Sequence, residues 1–233
     1  MNNFRYYRPN AFPPVVKNLL IVNVLVFIAQ QTLWTNSETF NDLFALHDIH
    51  SVFFQPHQIL TYMFMHGGID HLLFNMLALW MFGSQLENYW GAKRFLIYYV
   101  VCGIGAAVLH LIVLYLEMAP VMAYFRSLPT DFQLEMINSP RFKINIPTVG
   151  ASGAIFGCLA AFGYLFPNSI INVYFLIPIK AKWFVFIYGA IELMLAIRNT
   201  AGDTVAHFAH LGGAITGLII VIIWNKTNRK TFY

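Results

Sequence analysis

Six apolar runs, each close to the length of a membrane-spanning helix, constrain the fold of this chain more than any other feature. A helix needs about 20 predominantly apolar residues to cross the hydrocarbon core of a bilayer. The runs lie at 16–33, 71–89, 94–116, 152–166, 181–197 and 206–224. Only 10% of the 233 residues are charged, whereas soluble domains contain about 25%. We therefore expect an all-α membrane protein with six transmembrane helices in one domain over 1–233, with 1–15 and 225–233 outside the membrane.

The distribution of Lys and Arg predicts the orientation of this bundle. Six spans place both termini on one side. Ten of the fourteen Lys and Arg residues lie on that side, and the other four are Arg126, Arg141, Lys143 and Arg198. Cytoplasmic loops carry such an excess of positive charge, so we expect a multi-pass protein of the cell membrane with cytoplasmic termini. The net charge of +4 reflects this topology and gives no sign of nucleic-acid binding. The longest polar connection, 117–147, is expected to be a surface insertion without assigned chemistry.

The fourth predicted helix is the shortest, and it begins within a stretch of small residues, TVGASGAIFG. At 1.5 Å per residue, 152–166 would extend for about 22 Å, against a hydrocarbon core about 30 Å thick. Pro167 marks its cytoplasmic end, so Ser152 would lie about 8 Å below the outer surface of the bilayer. Backbone at that depth must be enclosed by protein or line a wet cavity. Taken alone, the stretch is more simply explained by helix packing, because small residues mediate contacts between transmembrane helices.

Two polar clusters on the outer side supply partners for Ser152. The first, HGGIDHLLFN, contains His66, His71 and Asn75, and the last two share one helix face because they are four residues apart. The second, AHFAHLGGAITG, contains His210. Polar side chains are costly within a membrane and usually functional, so both clusters are candidates for a site.

Small residues at spacings of four predict a close approach of the fourth and sixth helices. Gly153 and Gly157 have this spacing on the fourth helix, and Ala209, Gly213 and Gly217 repeat it on the sixth. Small residues at such intervals let helix backbones come close together in membranes. The serine and the histidine beside these stripes would then be within reach of a hydrogen bond.

A serine in contact with a histidine can act as a nucleophile. Imidazole is the side chain suited to remove a proton near neutral pH, so we expect Ser152 as the nucleophile and His210 as the base. The oxyanion formed on attack needs hydrogen-bond donors, and the candidates are the Ser152 N–H, His71 and Asn75. We expect no carboxylate to orient His210, and hence a dyad. Glu192, inside the fifth helix, has no partner that the sequence can identify.

Together, these motifs resemble those of the rhomboid family of intramembrane serine proteases. The family pattern places two histidines and an asparagine on helix 2, Gly-x-Ser-Gly on helix 4 and Ala-His-x-x-Gly on helix 6. The matching residues are His66, His71, Asn75, Gly150, Ser152, Gly153, Ala209, His210 and Gly213. The three motifs occur in the family's order and extend over most of the chain.

This resemblance implies a six-helix rhomboid-like bundle with a short central helix 4. It also implies a serine endopeptidase that needs no metal or cofactor and cleaves transmembrane segments of other proteins within the lipid bilayer. Ser152 and His210 would be catalytic, and His71 and Asn75 would bind the oxyanion. Supporting positions would be His66, Gly150, Gly153 and Phe156.

Two features depart from the family pattern. The position four residues after the nucleophile is often tyrosine, and here it is Phe156, which can still stack on His210. The Trp-Arg pair that many members carry in the first loop is missing, which affects the expected anchoring of that loop and not the chemistry. Inactive members of the family lack the serine or the histidine, whereas this chain keeps both.

Two other functions stay open on the sequence alone. A rhomboid-like scaffold would capture membrane segments without cutting them and would need no reactive serine. A metal transporter would use His207 and His210, which are three residues apart on one helix, with His71 as a third ligand. The expected lack of a carboxylate beside these histidines argues against the transporter.

Overall fold

The computed structural model describes residues 9–32, 37–139, 142–173, 176–198 and 206–228. The helices are α1 Pro14–Thr32, α2 Ser37–Phe44, α3 Gln58–Thr61, α4 Ile69–Ala78, α5 Ser84–Trp90, α6 Ala92–Ser127, α7 Thr130–Ile137, α8 Ser152–Leu165, α9 Ala181–Arg198 and α10 His207–Asn228. The strands are β1 Ile170–Val173 and β2 Ile177–Lys180. A π-helical turn, Leu79–Gly83, joins α4 to α5. The outermost parts of both predicted cytoplasmic ends, 1–8 and 229–233, lie outside the described residues.

Within the described residues, three helices are long and apolar enough to cross a membrane: Pro14–Thr32, Ala92–Ser127 and His207–Thr227. The helix α8 is also apolar but has only 14 residues. The prediction of a mostly helical protein with membrane-spanning segments is confirmed by these elements. The number of six spans stays a prediction.

The helix α6 is longer than the third predicted helix. It continues to Ser127, whereas the apolar run predicts a helix that ends at 116 and a polar connection from 117. A small second core stabilises the extension by packing its apolar face against the segment before α8. The members of this core are Met118, Met122, Phe125, Phe142 and Ile144. The predicted end of this helix is therefore wrong, because apolar residues at spacings of three and four continue beyond it.

A β-hairpin connects α8 to α9, which the all-α prediction did not include. The strands pair antiparallel, with Ile170 opposite Lys180. The backbone N–H of Ala181 donates to the carbonyl of Ser169 at 2.8 Å, which closes the base of the hairpin. The strands are rich in isoleucine, a residue that favours extended backbone. This part of the fold-class prediction is wrong.

Close contact between α8 and α10 is the central feature of the packing. A Cβ added at Gly213 of α10 would overlap the backbone carbonyl of Gly153 in α8, and one added at Gly217 would lie 2.8 Å from the Cα of Gly157. The α8 residues 153–163 are all buried. The predicted close approach of these two helices is confirmed, because only glycine leaves room for both backbones.

The helix α6 encloses α8 from another direction. A Cβ at Gly153 would lie 2.5 Å from the Cβ of Ala106, and one at Gly157 would lie 2.5 Å from the Sγ of Cys102. The Tyr98 hydroxyl donates a hydrogen bond to the Gly157 carbonyl at 2.6 Å. This bond fixes α8 against α6 at the level where the small residues of α8 and α10 meet.

The loop between α2 and α3 and the helix α6 hold the segment that leads into α8. Leu46 and Thr148 exchange backbone hydrogen bonds of 2.9 and 2.8 Å, and the Ser51 hydroxyl donates to Asn145 Oδ1 at 2.7 Å. His110 of α6 bonds to the Thr148 hydroxyl at 2.9 Å. Burial lowers the pKa of His47 in the first loop, so the enclosed ring is neutral. The start of α8 is therefore positioned by contacts far from it in sequence.

We expect Gly213→Ala to destabilise the fold and separate α8 from α10. The added methyl group would meet the Gly153 carbonyl, a backbone atom that cannot move by changing rotamer. Overpacking of this kind typically costs about 1–3 kcal/mol. Thermal unfolding in detergent micelles, followed by near-UV circular dichroism, would show a lower midpoint than the wild type.

Gly189→Ala is the matched control for this substitution. It lies in the helix α9, and no atom lies within 4 Å of a Cβ added there. Its unfolding midpoint should equal or exceed that of the wild type, because alanine favours helix over glycine. Equal midpoints for Gly213→Ala and Gly189→Ala would contradict the proposed role of the α8–α10 contact.

Candidate active site

The structure brings Ser152 and His210 together. Ser152 is the first residue of α8 and His210 lies in the first turn of α10. The Ser152 Oγ lies 2.8 Å from the His210 Nε2, although the two residues are 58 positions apart in sequence. Both residues are partly buried. This contact gives the serine hydroxyl a neighbouring base.

A carboxylate orients the His210 ring from its other side. Glu192 Oε2 lies 2.9 Å from His210 Nδ1 and 2.7 Å from His207 Nδ1. Because an ionised carboxylate only accepts hydrogen bonds, both Nδ1 atoms donate to it. The neutral His210 ring then has its Nε2 lone pair directed at the Ser152 hydroxyl, which donates to it.

The prediction that no carboxylate orients His210 is therefore wrong. Glu192 lies in α9, which packs against α8 and α10, and it is only 4% exposed. The sequence did contain a signal, because an ionisable residue within an apolar helix requires a partner. Its two partners are His207 and His210.

Phe156 packs flat against the His210 ring. Its ring centroid lies 4.3 Å from that of His210, and the two planes differ by 6°. Tyr188 of α9 contacts Phe156 from the side, with centroids 4.9 Å apart. The His210 ring is thus held by two hydrogen bonds in its plane and by an aromatic face.

His71 lies close to the start of α8. The backbone N–H of Gly67 donates to His71 Nδ1 at 3.4 Å, so the neutral ring carries its proton on Nε2. A Cβ built at Gly150 would lie 2.9 Å from this Nε2 and 3.4 Å from the Ser152 Oγ. Both atoms therefore face one small space in front of the serine.

Gly150 keeps that space open. Its φ of +135° is a backbone conformation that favours glycine, and its N–H donates to the Tyr62 carbonyl at 3.0 Å. A side chain at this position would be strained and would also press on His71. Gly153, three residues further along the chain and the second residue of α8, is buried against α6 and α10.

Asn75 and His66 lie next to His71. Asn75 is 7% exposed, and among the described residues its Nδ2 has no hydrogen-bond partner. The His66 ring lies edge-on to the His71 ring at 5.2 Å. The Gln30 side chain of α1 bonds to both backbone groups of His66, at 2.9 and 3.2 Å. Asn75 therefore has a buried amide N–H group near His71, and His66 contacts the ring of His71.

The potential metal ligands differ from the three histidines considered on sequence grounds. Among the described residues, Glu192, His207 and His210 have ligand atoms within 4.8 Å of one another, and His71 is not part of this group. The third potential ligand is therefore the carboxylate of Glu192 and not the imidazole of His71. The sequence-based objection to a metal transporter assumes that no carboxylate cluster lies beside these histidines, and Glu192 is one carboxylate that does lie there.

Comparison with known proteins identifies the family. Residues 54–226 match the sequence profile of the Rhomboid domain. The chain is 30% identical over 156 residues to "Rhomboid protein 1, mitochondrial" of Saccharomyces cerevisiae, covering 67% of this chain and 38% of that protein. It is 31% identical over 160 residues to "Rhomboid protease GluP" of Bacillus subtilis, covering 69% and 24% of the two chains.

A third relative is similar over a larger share of its length. "Rhomboid protease AarA" of Providencia stuartii is 32% identical over 164 residues, which cover 70% of this chain and 53% of the relative. The chain thus spans less than two thirds of the length of each of these relatives. The profile match covers well over half of the chain, and the apolar helices agree with a multi-pass membrane protein. The chain belongs to the rhomboid family.

Proposed function

We propose that this protein is an intramembrane serine endopeptidase that cleaves transmembrane segments of other membrane proteins. The single observation that carries the proposal is the 2.8 Å contact between the Ser152 Oγ and the His210 Nε2. Two of the relatives are named as rhomboid proteases, which supports the same reaction class. A scaffold that only binds membrane segments would not need this contact.

The reaction begins with transfer of the Ser152 proton to His210 Nε2 while the Oγ attacks the scissile carbonyl carbon. The imidazolium then gives this proton to the leaving amine, which breaks the C–N bond and leaves an acyl-enzyme. Water attacks the ester carbonyl with His210 again as the base, and the serine is restored. No metal or cofactor takes part in these steps.

Glu192 acts as a positioning residue for His210 in this proposal. Its carboxylate accepts the Nδ1–H of His210 at 2.9 Å and so fixes the tautomer that can accept the serine proton. It also faces the positive charge that forms on the ring during attack, and a hydrogen bond between charged groups is stronger than a neutral one. We therefore replace the dyad expected from the sequence with a Ser152–His210–Glu192 triad.

In this proposal, donors from α4 and from the start of α8 stabilise the oxyanion. The His71 Nε2–H, the Asn75 side-chain amide and the Ser152 backbone N–H are the donors that we assign to it. His66 supports the ring of His71, with which it is in edge-on contact. Donors aimed at a developing negative charge in a dry site each contribute on the order of 3 kcal/mol to such reactions.

The substrate must unwind before it can be cut. A peptide carbonyl in a regular helix is already hydrogen-bonded, so residues with low helix propensity near the scissile bond would favour entry. Gly150 and Gly153 border the serine and are closely packed, so we expect a small side chain before the cut. We assign lateral entry to the side of the site closed by α9.

We also propose the cell membrane as the location, with six spans, both termini in the cytoplasm and one domain over 1–233. An impermeant maleimide should then label Asn138→Cys in intact cells, whereas Pro9→Cys should react only after the cells are opened. Both positions are exposed, and the native Cys102 and Cys158 are buried. Labelling of Pro9→Cys in intact cells would contradict this orientation.

The proposed activity is tested by cleavage of a model transmembrane substrate in proteoliposomes. We expect the wild type to cut it and Ser152→Ala and His210→Ala to lose at least about 1,000-fold in rate, because the nucleophile and its base act as one unit. Far-UV circular dichroism would check that both variants are folded. Cleavage by Ser152→Ala at the wild-type rate would disprove the mechanism.

We expect Glu192→Gln to lower kcat by about 10- to 100-fold with little change in KM. The amide keeps an acceptor for the His210 Nδ1–H but removes a charge, and hydrogen bonds to charged groups contribute about 1.5–3 kcal/mol. Glu192→Leu should be slower still, because it removes the acceptor as well.

Glu117→Gln is the control for these two variants. Glu117 forms a partly exposed ion pair with Lys143 at 3.1 Å, and such pairs contribute at most about 1 kcal/mol. Its kcat should match the wild type. Equal kcat values for Glu192→Gln and Glu117→Gln would mean that the carboxylate has no part in the reaction.

A further inference from the structure

Three side chains beside the serine form a cluster of metal-binding groups, which we name the Glu192 cluster: Glu192, His207 and His210. Their ligand atoms lie within 4.8 Å of one another, and the carboxylate oxygen is 2.7 and 2.9 Å from the two Nδ1 atoms. Glu192 and His207 are more than nine-tenths buried. His210 connects the cluster to Ser152 through its opposite nitrogen.

We propose that the Glu192 cluster binds Zn²⁺ and that the bound ion switches the enzyme off. Two imidazoles and one carboxylate are a ligand set found in zinc sites, where a water molecule occupies the fourth position. Nitrogen ligands also favour Zn²⁺ over Mg²⁺ and Ca²⁺, which prefer oxygen. The inhibitory part of this inference rests on the proposed protease function, whereas the binding part does not.

The three side chains must shift to accept the ion. Bond lengths of about 2.0–2.1 Å in a tetrahedral zinc site separate neighbouring ligand atoms by about 3.3 Å. The two oxygen–nitrogen distances of 2.7 and 2.9 Å are shorter than this, and the three ligand atoms lie within 4.8 Å of one another. The side chains must therefore shift so that all three separations approach the tetrahedral value. The three side chains already converge on one point from α9 and α10.

The protons of the two rings must move when zinc binds. Without the ion, each neutral ring carries its proton on Nδ1 and donates it to Glu192. Zinc takes the Nδ1 lone pairs, so each ring gives up the Nδ1 proton to solvent and gains one at Nε2. No net proton is released, and the two hydrogen bonds to the carboxylate are replaced by three bonds to the metal.

This exchange removes the base of the reaction. A His210 ring bound to zinc through Nδ1 carries its proton on Nε2, the atom that faces the Ser152 Oγ at 2.8 Å. That nitrogen then has no lone pair with which to accept the serine proton. The Ser152 hydroxyl becomes the acceptor of the hydrogen bond and is no longer activated.

The binding arm of the test uses Co²⁺ as a spectroscopic substitute for Zn²⁺, on Ser152→Ala protein freed of any affinity tag. We expect one equivalent of Co²⁺ to give the intense visible absorption of a tetrahedral site and Zn²⁺ to displace it. Adding His207→Gln should weaken binding by about 10-fold or more. Loss of a residue that only supports a metal ligand already lowers metal affinity by about 10- to 100-fold, and loss of the ligand itself should lower it at least as much. Glutamine can still donate to Glu192, which preserves that contact.

The matched control for the binding arm is His57→Gln on the same background. His57 lies in the first loop, and its ring Nε2 contacts the Leu43 carbonyl at 2.7 Å, outside the Glu192 cluster. This variant should bind Co²⁺ as tightly as its parent. If His207→Gln fails to fold, Glu192→Gln provides the same comparison. Equal affinities for the cluster variant and His57→Gln would overturn the site.

The activity arm measures cleavage by otherwise wild-type enzyme during a Zn²⁺ titration, with Mg²⁺ in parallel. We expect Zn²⁺ to inhibit, EDTA to restore the rate and Mg²⁺ to have no effect. His207→Gln, scaled to its own metal-free rate, should need about 10-fold more Zn²⁺. Zinc that binds to the Ser152→Ala protein without slowing the wild type would overturn the inhibitory role.

The two arms separate the failure of this inference from that of the proposed function. A wild-type protein without any cleavage activity would end the protease proposal, and with it the inhibitory role. The Co²⁺ titration would still decide whether the site exists. Inhibition of the wild type and His207→Gln at the same Zn²⁺ concentration would show that the ion acts elsewhere and would overturn the inference.

Discussion

The site depends on the close approach of two helix backbones at the glycines of α8 and α10. A methyl group at Gly213 would overlap the Gly153 carbonyl, so any larger residue would push the helices apart. The Ser152–His210 hydrogen bond of 2.8 Å joins the same two helices. Ser152 is next to Gly153 in sequence, and His210 is three residues before Gly213. Packing of small side chains between these helices thus supplies the precision that the proposed reaction needs.

The contact between Ser152 and His210 could be predicted from sequence, whereas the contact between Glu192 and His210 could not. Ser152 and His210 lie within stripes of small residues, and such stripes indicate which helix faces meet. Glu192 belongs to a different helix, and no local pattern determines which face of α9 turns inward. Its burial at 4% is tolerated because two imidazoles donate to it, since a buried carboxylate without partners would be strongly unfavourable. An ionisable group in an apolar run thus indicates that a partner exists, but the sequence does not identify that partner.

Helices were predicted well where apolar residues form long runs, and less well elsewhere. The first helix and the small-residue contacts follow directly from composition and spacing. The end of α6 was missed because Pro120 and nearby polar residues interrupt the run, while Met122 and Phe125 still reach a core formed with Phe142. The hairpin after α8 was missed because its strands are only four residues long. A short apolar run does not distinguish strand from helix.

Reaction with a fluorophosphonate tests the central claim most directly, because it measures whether Ser152 is activated without requiring a natural substrate. The protein in a lipid environment would be treated with the probe and analysed by intact mass and peptide mapping. We expect one adduct, on Ser152, that forms in the wild type and much more slowly in His210→Ala. An unmodified wild-type Ser152, or equal labelling rates in both proteins, would contradict the claim that the imidazole activates the serine.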